Sequence, residues 1–201
     1  MFNPNAAPEQ NFERELIPQG PHAARCARII EIGKQYSPKF DSESDKVVIV
    51  LSLPHVMINM GGEEKQAFIS NPFGITKSTN EKSSMRQYVR ALDPKGEATK
   101  LGDLLGNACQ VYVGHRTRND KTYHYIDSIA PLLPGLEVPE LDTEPFWLSW
   151  DNPSVDTLRT VPEFQRGLIK QAVNYPGSYM EEAMMELEGS VPTKDNDGIE
   201  V

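Results

Sequence analysis

The sequence lacks the features that define several large protein classes. It contains two cysteines, Cys26 and Cys109, which are too few for the disulfide framework of a small secreted domain. We interpret both as small buried hydrophobic residues in a reducing compartment. No run of about 18 apolar residues occurs, so no membrane-spanning helix is predicted. The N-terminal residues do not combine a basic with an apolar region, so no secretory signal is predicted and we expect a cytoplasmic location.

Motifs that carry catalysis or nucleotide binding are also missing from the sequence. It has no GxxxxGK[ST] phosphate loop, no GxGxxG after a strand, no HExxH and no paired CxxC. His115 and His124 could face each other across a hairpin, but two ligands without a third make a weak metal site. The carboxylate-rich loop at residues 41–45 lacks the glycine and the final glutamate of an EF-hand. We therefore predict no enzyme activity, no metal and no cofactor.

The charge of the chain is unevenly distributed. The net charge is −9. Residues 1–135 hold 16 Lys and Arg against 15 Asp and Glu, whereas residues 136–201 hold 4 against 14. The acidic last third is typical of an interaction segment, or of an intramolecular mimic of a polyanion that competes for a basic groove. A helical extension with a solvated, charged face explains the same charge.

Strand patterns dominate the first two thirds of the sequence. Sixteen prolines and 14 glycines argue against a helical bundle. We predict strands over residues 23–33, 46–53 and 65–77, of which the second is expected to be central and the last is interrupted at Pro72 and Gly74. A helix over residues 81–92, capped by Thr79 or Asn80, then precedes a short helical turn at residues 100–105.

The segment at residues 104–133 combines a strand signal with a binding signal. Cys109, Val111 and Val113 alternate with polar or exposed positions, as in a half-buried strand, and residues 123–130 repeat the pattern. Asn119 and Asp120 supply the residues that a tight hairpin turn needs. The tip is rich in cations and aromatic rings, which favours contact with single-stranded nucleic acid, although a solvated hairpin tip is the ordinary alternative.

The order of three strands, a helix and two strands predicts a mainly β fold, a five-stranded OB-fold barrel with the helix between strands 3 and 4. We expect an irregular N-terminal arm at residues 1–19 and the barrel at residues 20–135. Residues 136–201 are predicted to form an acidic extension with a linker, an aromatic cluster at 145–150, a helix near 162–173, a helix at 179–188 that Ser178 caps, and a flexible tail. The apolar stripe of the first of these helices is predicted to contain Phe164, Leu168, Ile169 and Val173.

The candidate site follows from this fold. In an OB fold, the face of strands 2 and 3 and the loops after strands 1 and 4 converge on the oligonucleotide groove. Cations and aromatic residues in those segments form the predicted DNA-binding set, in which alternation does not tell which rings belong to the core. The set is Lys34, Tyr36, Lys39, Phe40, Lys65, Phe68, Phe73, Lys77, Arg116, Arg118, Lys121, Tyr123 and Tyr125.

Three stretches of the sequence carry a resemblance to a known family. The residues are Leu16, Pro18, Gly20, Ala24 and Arg25; then Phe73, Ile75 and Lys77; then Leu104, Leu105, Gly106, Cys109, Val111, Val113 and His115. Over roughly residues 15–175 the chain resembles the bacteriophage-encoded single-stranded DNA-binding proteins. The resemblance implies an OB barrel and the protection of single-stranded DNA during phage replication or recombination, in the cytoplasm of the host cell.

The leading hypothesis is thus a non-enzymatic protein whose partner is single-stranded DNA. The acidic C-terminal region is a candidate docking segment for replication or recombination proteins, and self-association is possible; no membrane partner is expected. The main alternative is a phage interaction or assembly protein that uses the barrel as a scaffold without binding nucleic acid and buries Phe146, Trp147 and Trp150 in an oligomer. A nuclease is a third alternative, and it would require clustered carboxylates that bind metal.

Overall fold

The computed structural model describes residues 15–189. The predicted N-terminal arm up to residue 14 and the predicted tail from residue 190 lie outside the described residues. The strands are β1 (Gly20–Ser37), β2 (Ser42–Met60), β3 (Glu63–Ser70), β4 (Ile75–Thr76), β5 (Ala108–Arg118), β6 (Lys121–Pro131) and β7 (Phe146–Leu148). The helices are α1 (Ser84–Leu92), a 3-10 turn (Leu101–Leu104), α2 (Val155–Thr160), α3 (Glu163–Lys170) and α4 (Tyr179–Leu187).

The strands form one sheet in the order β3-β2-β1-β5-β6. Neighbours along this path are antiparallel, β4 pairs with β2, and β7 pairs with β1 in parallel. The prediction of a mainly β fold is confirmed. The described strands β3 and β6 approach each other but share no hydrogen-bonded ladder, so the ladders leave the sheet open along this seam.

Both faces of β1 and β2 are buried. Along β2, Val47, Ile49 and Leu51 point to one side of the sheet, where they pack against α1 and β5. Val48 and Val50 point to the other side. A continuous β-branched run is typical of a strand that is covered on both faces, and the strand predicted at residues 46–53 to be central does lie between β3 and β1.

The second face of β1 and β2 is covered by the C-terminal helices α2–α4. Ile30 and Val48 from the sheet form one cluster with Leu158, Ile169 and Met180 from the helices, all fully or almost fully buried. Burying one such side chain stabilises a fold by about 1.5–3 kcal/mol. The acidic extension predicted at residues 136–201 is therefore, as far as residue 189, part of the folded core rather than a detachable appendage.

Two polar anchors fix the segment between β6 and α2 to the sheet. The guanidinium of Arg25 donates to the carbonyls of Gly106 (2.6 Å), Val138 (2.5 Å) and Pro139 (2.9 Å). The carboxylate of Glu31, which is 5% exposed, accepts hydrogen bonds from the indole of Trp147 (3.3 Å) and from the backbone N–H of Trp150 (3.1 Å). The predicted linker and aromatic cluster are thus held against β1.

The helices differ in detail from their predicted bounds. Helix α1 begins at Ser84, because Ser83 rather than Thr79 or Asn80 caps it by accepting from the N–H of Arg86 (3.2 Å). Asn80 instead accepts from the N–H of Lys82, which closes a turn just before the helix. Helix α4 has its predicted Ser178 cap. None of the described helices is long and apolar enough to span a membrane.

Candidate nucleic-acid groove

A groove of about 890 Å³ lies beside the open seam of the sheet. It is bounded by residues 70–75 between β3 and β4, by α1, and by the β5–β6 hairpin. Five residues of the predicted DNA-binding set line it: Phe73, Arg116, Arg118, Tyr123 and Tyr125. The groove therefore brings together two parts of the chain that are more than 40 residues apart, while polar groups such as those of Asn71, Gln87 and Ser128 complete its wall.

The hairpin that forms one wall follows the predicted local chemistry. Arg118 and Lys121 are the last pair of the ladder, and both intervening residues, Asn119 (φ 50°) and Asp120 (φ 59°), adopt the left-handed conformation. This is the pattern of a two-residue type I′ turn, which Asn and Asp tolerate. Val113 is fully buried and its neighbour Tyr112 is exposed, which confirms the predicted alternation along β5 up to Val113. Gly114 is also buried, and the alternation does not recur in β6, in which no residue is buried.

Two histidines anchor the base of the hairpin. His115 and His124 face each other in the ladder, as predicted. The ring Nε2 of His115 hydrogen bonds with the carbonyl of Ile17 (2.6 Å), and Nδ1 of His124 accepts from the N–H of Ile17 (3.3 Å). The two rings thus hold the chain entering β1, and within residues 15–189 no group of three His, Cys, Asp or Glu side chains is placed to bind a metal.

Tyr125 and Arg116 form a preassembled pair on the hairpin. The Arg116 guanidinium carbon lies 5.2 Å from the centroid of the Tyr125 ring, a cation–π distance. The ring lies over Gly114, its ladder partner, where a Cβ would approach the ring to 2.7 Å. A glycine at this position therefore makes room for the Tyr125 ring against the strand.

Phe73 projects from the opposite wall on a tight loop. Gly74 has φ +72° and donates to the carbonyl of Asn71 (3.0 Å). A Cβ on Gly74 would lie 3.0–3.1 Å from the side chain of Ile32 and the carbonyl of Val47, so the loop is pressed against the sheet. The Phe73 ring is nevertheless 60% exposed, and the sequence-based expectation of an interruption at Pro72 and Gly74 is confirmed.

The charges of the hairpin cations are not neutralised by ion pairs with described residues. Within residues 15–189, Arg116, Arg118 and Lys121 form no ion pair. Lys121 adjoins the turn and is exposed. Two carboxylates, Asp120 in the turn and Asp127 in the groove wall, lie in the same region and partly offset this positive charge.

Four predicted site residues, Lys34, Tyr36, Lys39 and Phe40, lie at the other end of β1. Gly20 pairs with Val113 near the hairpin, whereas Ser37 pairs with Ser42. None of these four residues lines the groove.

The side chains around the turn between β1 and β2 contact one another. The Tyr36 hydroxyl donates to Asp41 (2.7 Å), and this hydrogen bond is the largest cause of the raised pKa of Tyr36. The ammonium of Lys39 lies 5.3 Å from the centroid of the Phe40 ring, which is 71% exposed.

Lys65, Phe68 and Lys77 are placed in structural contacts outside the groove. The ammonium of Lys65 pairs with Glu63 (2.8 Å) and that of Lys77 with Glu31 (3.4 Å). The Phe68 ring packs at the margin of the second core, which is the cluster between the sheet and α2–α4, and its centroid lies 5.0 Å from the Arg28 guanidinium. Burial lowers the pKa of Arg28. One face of β2 was expected to contribute to the DNA-binding surface, but α2–α4 cover it. This face is therefore not accessible to DNA.

Phe164, a residue of the predicted apolar stripe of α3, lies beside the groove. Of the predicted apolar stripe of α3, Ile169 is fully buried and Leu168 partly buried, whereas Phe164 and Val173 are exposed. The ring of Phe164 contacts the ring of Phe73. Helical spacing placed Phe164 on the same stripe as Ile169, but it does not tell which residues of that stripe the sheet covers.

Comparisons with known proteins do not identify a family. No protein-family model matches the chain, and no curated protein matches it. The resemblance to phage single-stranded DNA-binding proteins therefore stays a prediction, and a functional assignment has to be argued from the groove.

Proposed function

We propose that the protein binds single-stranded DNA in the groove between the β3–β4 loop, α1 and the β5–β6 hairpin, without catalysing a reaction. The observation that carries this proposal is the meeting of exposed rings and unpaired cations in one groove from distant parts of the chain. Such a combination suits a flexible polyanion whose bases are free to stack.

The cations and the rings have separate roles in this proposal. Arg116, Arg118 and Lys121 neutralise phosphates, and the rings of Phe73, Tyr123 and Tyr125 stack on bases. Each stacked base contributes about 1–3 kcal/mol, and any base can stack, so little sequence preference is expected. Release of counterions from the phosphates should make the affinity fall steeply with salt.

We propose that the fold is an OB-type barrel that is open at one seam. The strand order, with β1 between β2 and β5 and a helix between the first and last groups of strands, agrees with that architecture. We propose that the open seam between β3 and β6 takes the role that the outer face of strands 2 and 3 has in other OB folds, since here α2–α4 cover that face.

We also propose a biological setting, which rests on the sequence resemblance alone. The protein would coat and protect single-stranded DNA during phage replication or recombination in the host cytoplasm. Its acidic C-terminal region would dock replication or recombination proteins. Because α2–α4 are fixed by a buried core, we propose that any competition with DNA comes from acidic residues of this region outside these helices.

The alternative of a scaffold or assembly protein receives no support from the aromatic cluster that suggested it. Trp147 is hydrogen bonded to Glu31, and a Cβ on Gly33 would overlap the ring of Trp150. Phe146 lies 5.7 Å from the Arg28 guanidinium, measured to its ring centroid. These half-buried rings are packed against other parts of the chain, so the cluster does not by itself favour an oligomer that buries them.

Fluorescence anisotropy with a labelled oligo-dT tests the proposed function. The full chain should bind at low salt and release the oligonucleotide as salt rises, with weaker binding to a duplex of the same length. Absence of binding at low salt, both for the full chain and for a chain that ends at residue 189, would refute the proposal.

A further inference from the structure

The first turn of α3 presents an aromatic ring that the core of the protein does not use. Phe164 is 52% exposed, whereas Ile169 of the same helix is fully buried. Helix α3 is also fixed at its far end, where Gln35 donates to the carbonyl of Leu168 (2.9 Å) and the N–H of Val173 donates to the carbonyl of Lys34 (2.8 Å). The helix is therefore anchored without a contribution from most of the Phe164 ring.

The exposed ring adjoins the groove through Phe73. The two ring centroids are 5.4 Å apart and the ring planes are inclined by 84°, which is the edge-to-face arrangement of an attractive aromatic pair. Phe73 itself lines the groove. The aromatic surface thus continues from the groove onto the C-terminal helices, and both rings are carried by backbone that is pinned to the sheet.

We propose that Phe164 is a base-stacking residue that extends the groove by one step beyond Phe73. This inference deepens the proposed function and rests on it. Two perpendicular rings form a corner, in which a base can lie flat on one ring while its edge meets the other. A base inside a duplex has both faces covered by its neighbours, so the corner selects an unstacked base of a single strand.

The charge around Phe164 distinguishes its role from that of the hairpin. The Phe164 side chain carries no charge, and its neighbour in the sequence, Glu163, is acidic. The contribution of Phe164 to binding should therefore come from stacking. Stacking releases no counterions, so loss of Phe164 should lower the affinity without changing the salt dependence.

The test compares full-length variants by anisotropy with labelled oligo-dT at several salt concentrations. Phe164→Leu keeps an apolar contact with Phe73 but removes the flat ring, and it should weaken binding roughly 5- to 150-fold at every salt concentration. Phe164→Trp should bind within about twofold of the unmodified chain, since it retains a stacking face. The matched control is Tyr179→Leu, which removes a 67% exposed ring from α4 and should have no effect.

The outcomes separate this inference from the proposed function. If the unmodified chain binds, Arg116→Ala weakens it and Phe164→Leu binds normally, the role of Phe164 is refuted and the groove stands. The role of Phe164 is equally refuted if Phe164→Leu changes the slope of affinity against salt, or if Tyr179→Leu weakens binding as much. If the unmodified chain does not bind at all, both proposals fall. Thermal unfolding of each variant confirms that the compared proteins are folded.

Discussion

Removing the two hairpin arginines should change the salt dependence of DNA binding by a calculable amount. On single strands, each neutralised phosphate contributes about 0.7 to the slope of log affinity against log salt. The double variant Arg116→Ala/Arg118→Ala should therefore have a slope shallower by about 1.4, which corresponds to a loss of about 25-fold at 0.1 M salt. The loss should shrink toward zero as salt approaches 1 M.

The same reasoning gives the behaviour of each protein within a practical salt range. With three phosphate contacts, raising salt from about 0.05 to 0.2 M should weaken the unmodified chain about 20-fold, and the double variant, with Lys121 alone, about threefold. The matched control is Lys65→Ala/Lys170→Ala, which removes the same charge from lysines paired with Glu63 and Glu188 outside the groove. A double arginine variant that keeps the original slope would refute the assignment of these cations to phosphates.

Four further outcomes test the account of the fold. Glu31→Ala should lower the free energy of unfolding by about 2–4 kcal/mol in urea denaturation, because the N–H groups of Trp147 and Trp150 lose a charged acceptor; a loss below about 0.5 kcal/mol would contradict this role. Burial raises the pKa of Cys109 to about 12 and raises that of Cys26 as well, so neither thiol should react with a disulfide reagent at pH 8 until denaturant is added. The free energy of unfolding should fall as the pH rises above 9.0, the ordinary pKa of a thiol, because only the thiols of the unfolded protein ionise there. This fall should be less steep in Cys109→Ala. Removal of residues 136–201 should abolish cooperative thermal unfolding, since it exposes Ile30 and Val48; a folded truncated protein with raised DNA affinity would instead support autoinhibition by this region.

Local structure was predictable wherever neighbouring residues decide it. The Asn119-Asp120 turn, the alternation that buries Val113, and the Ser178 cap of α4 all follow from the conformational preferences of a few adjacent residues. The start of α1 was misplaced because Ser83 and Asn80 are both good capping residues. Their competition is decided by the hydrogen bonds of the surrounding turn.

The location of the groove was only partly predictable, because it depends on which sheet face the C-terminal helices cover. Phe68 and Phe73 look alike in sequence, as aromatic residues in one extended segment, yet Phe68 packs beside the second core and Phe73 projects into the groove. Likewise, Lys77 and Arg116 are both cations near strand ends. Lys77 pairs with the buried carboxylate of Glu31 on β1, and no local sequence pattern indicates that long-range contact.

Photocrosslinking tests the central claim, the location of the DNA, most directly. An oligo-dT containing 5-iodo-deoxyuridine is bound to the full chain, irradiated and digested, and the crosslinked residues are identified by mass spectrometry. Crosslinks should fall on the rings of the groove, Phe73, Tyr123 and Tyr125. Crosslinks confined to Tyr36 and Phe40, at the opposite end of β1, would contradict the account.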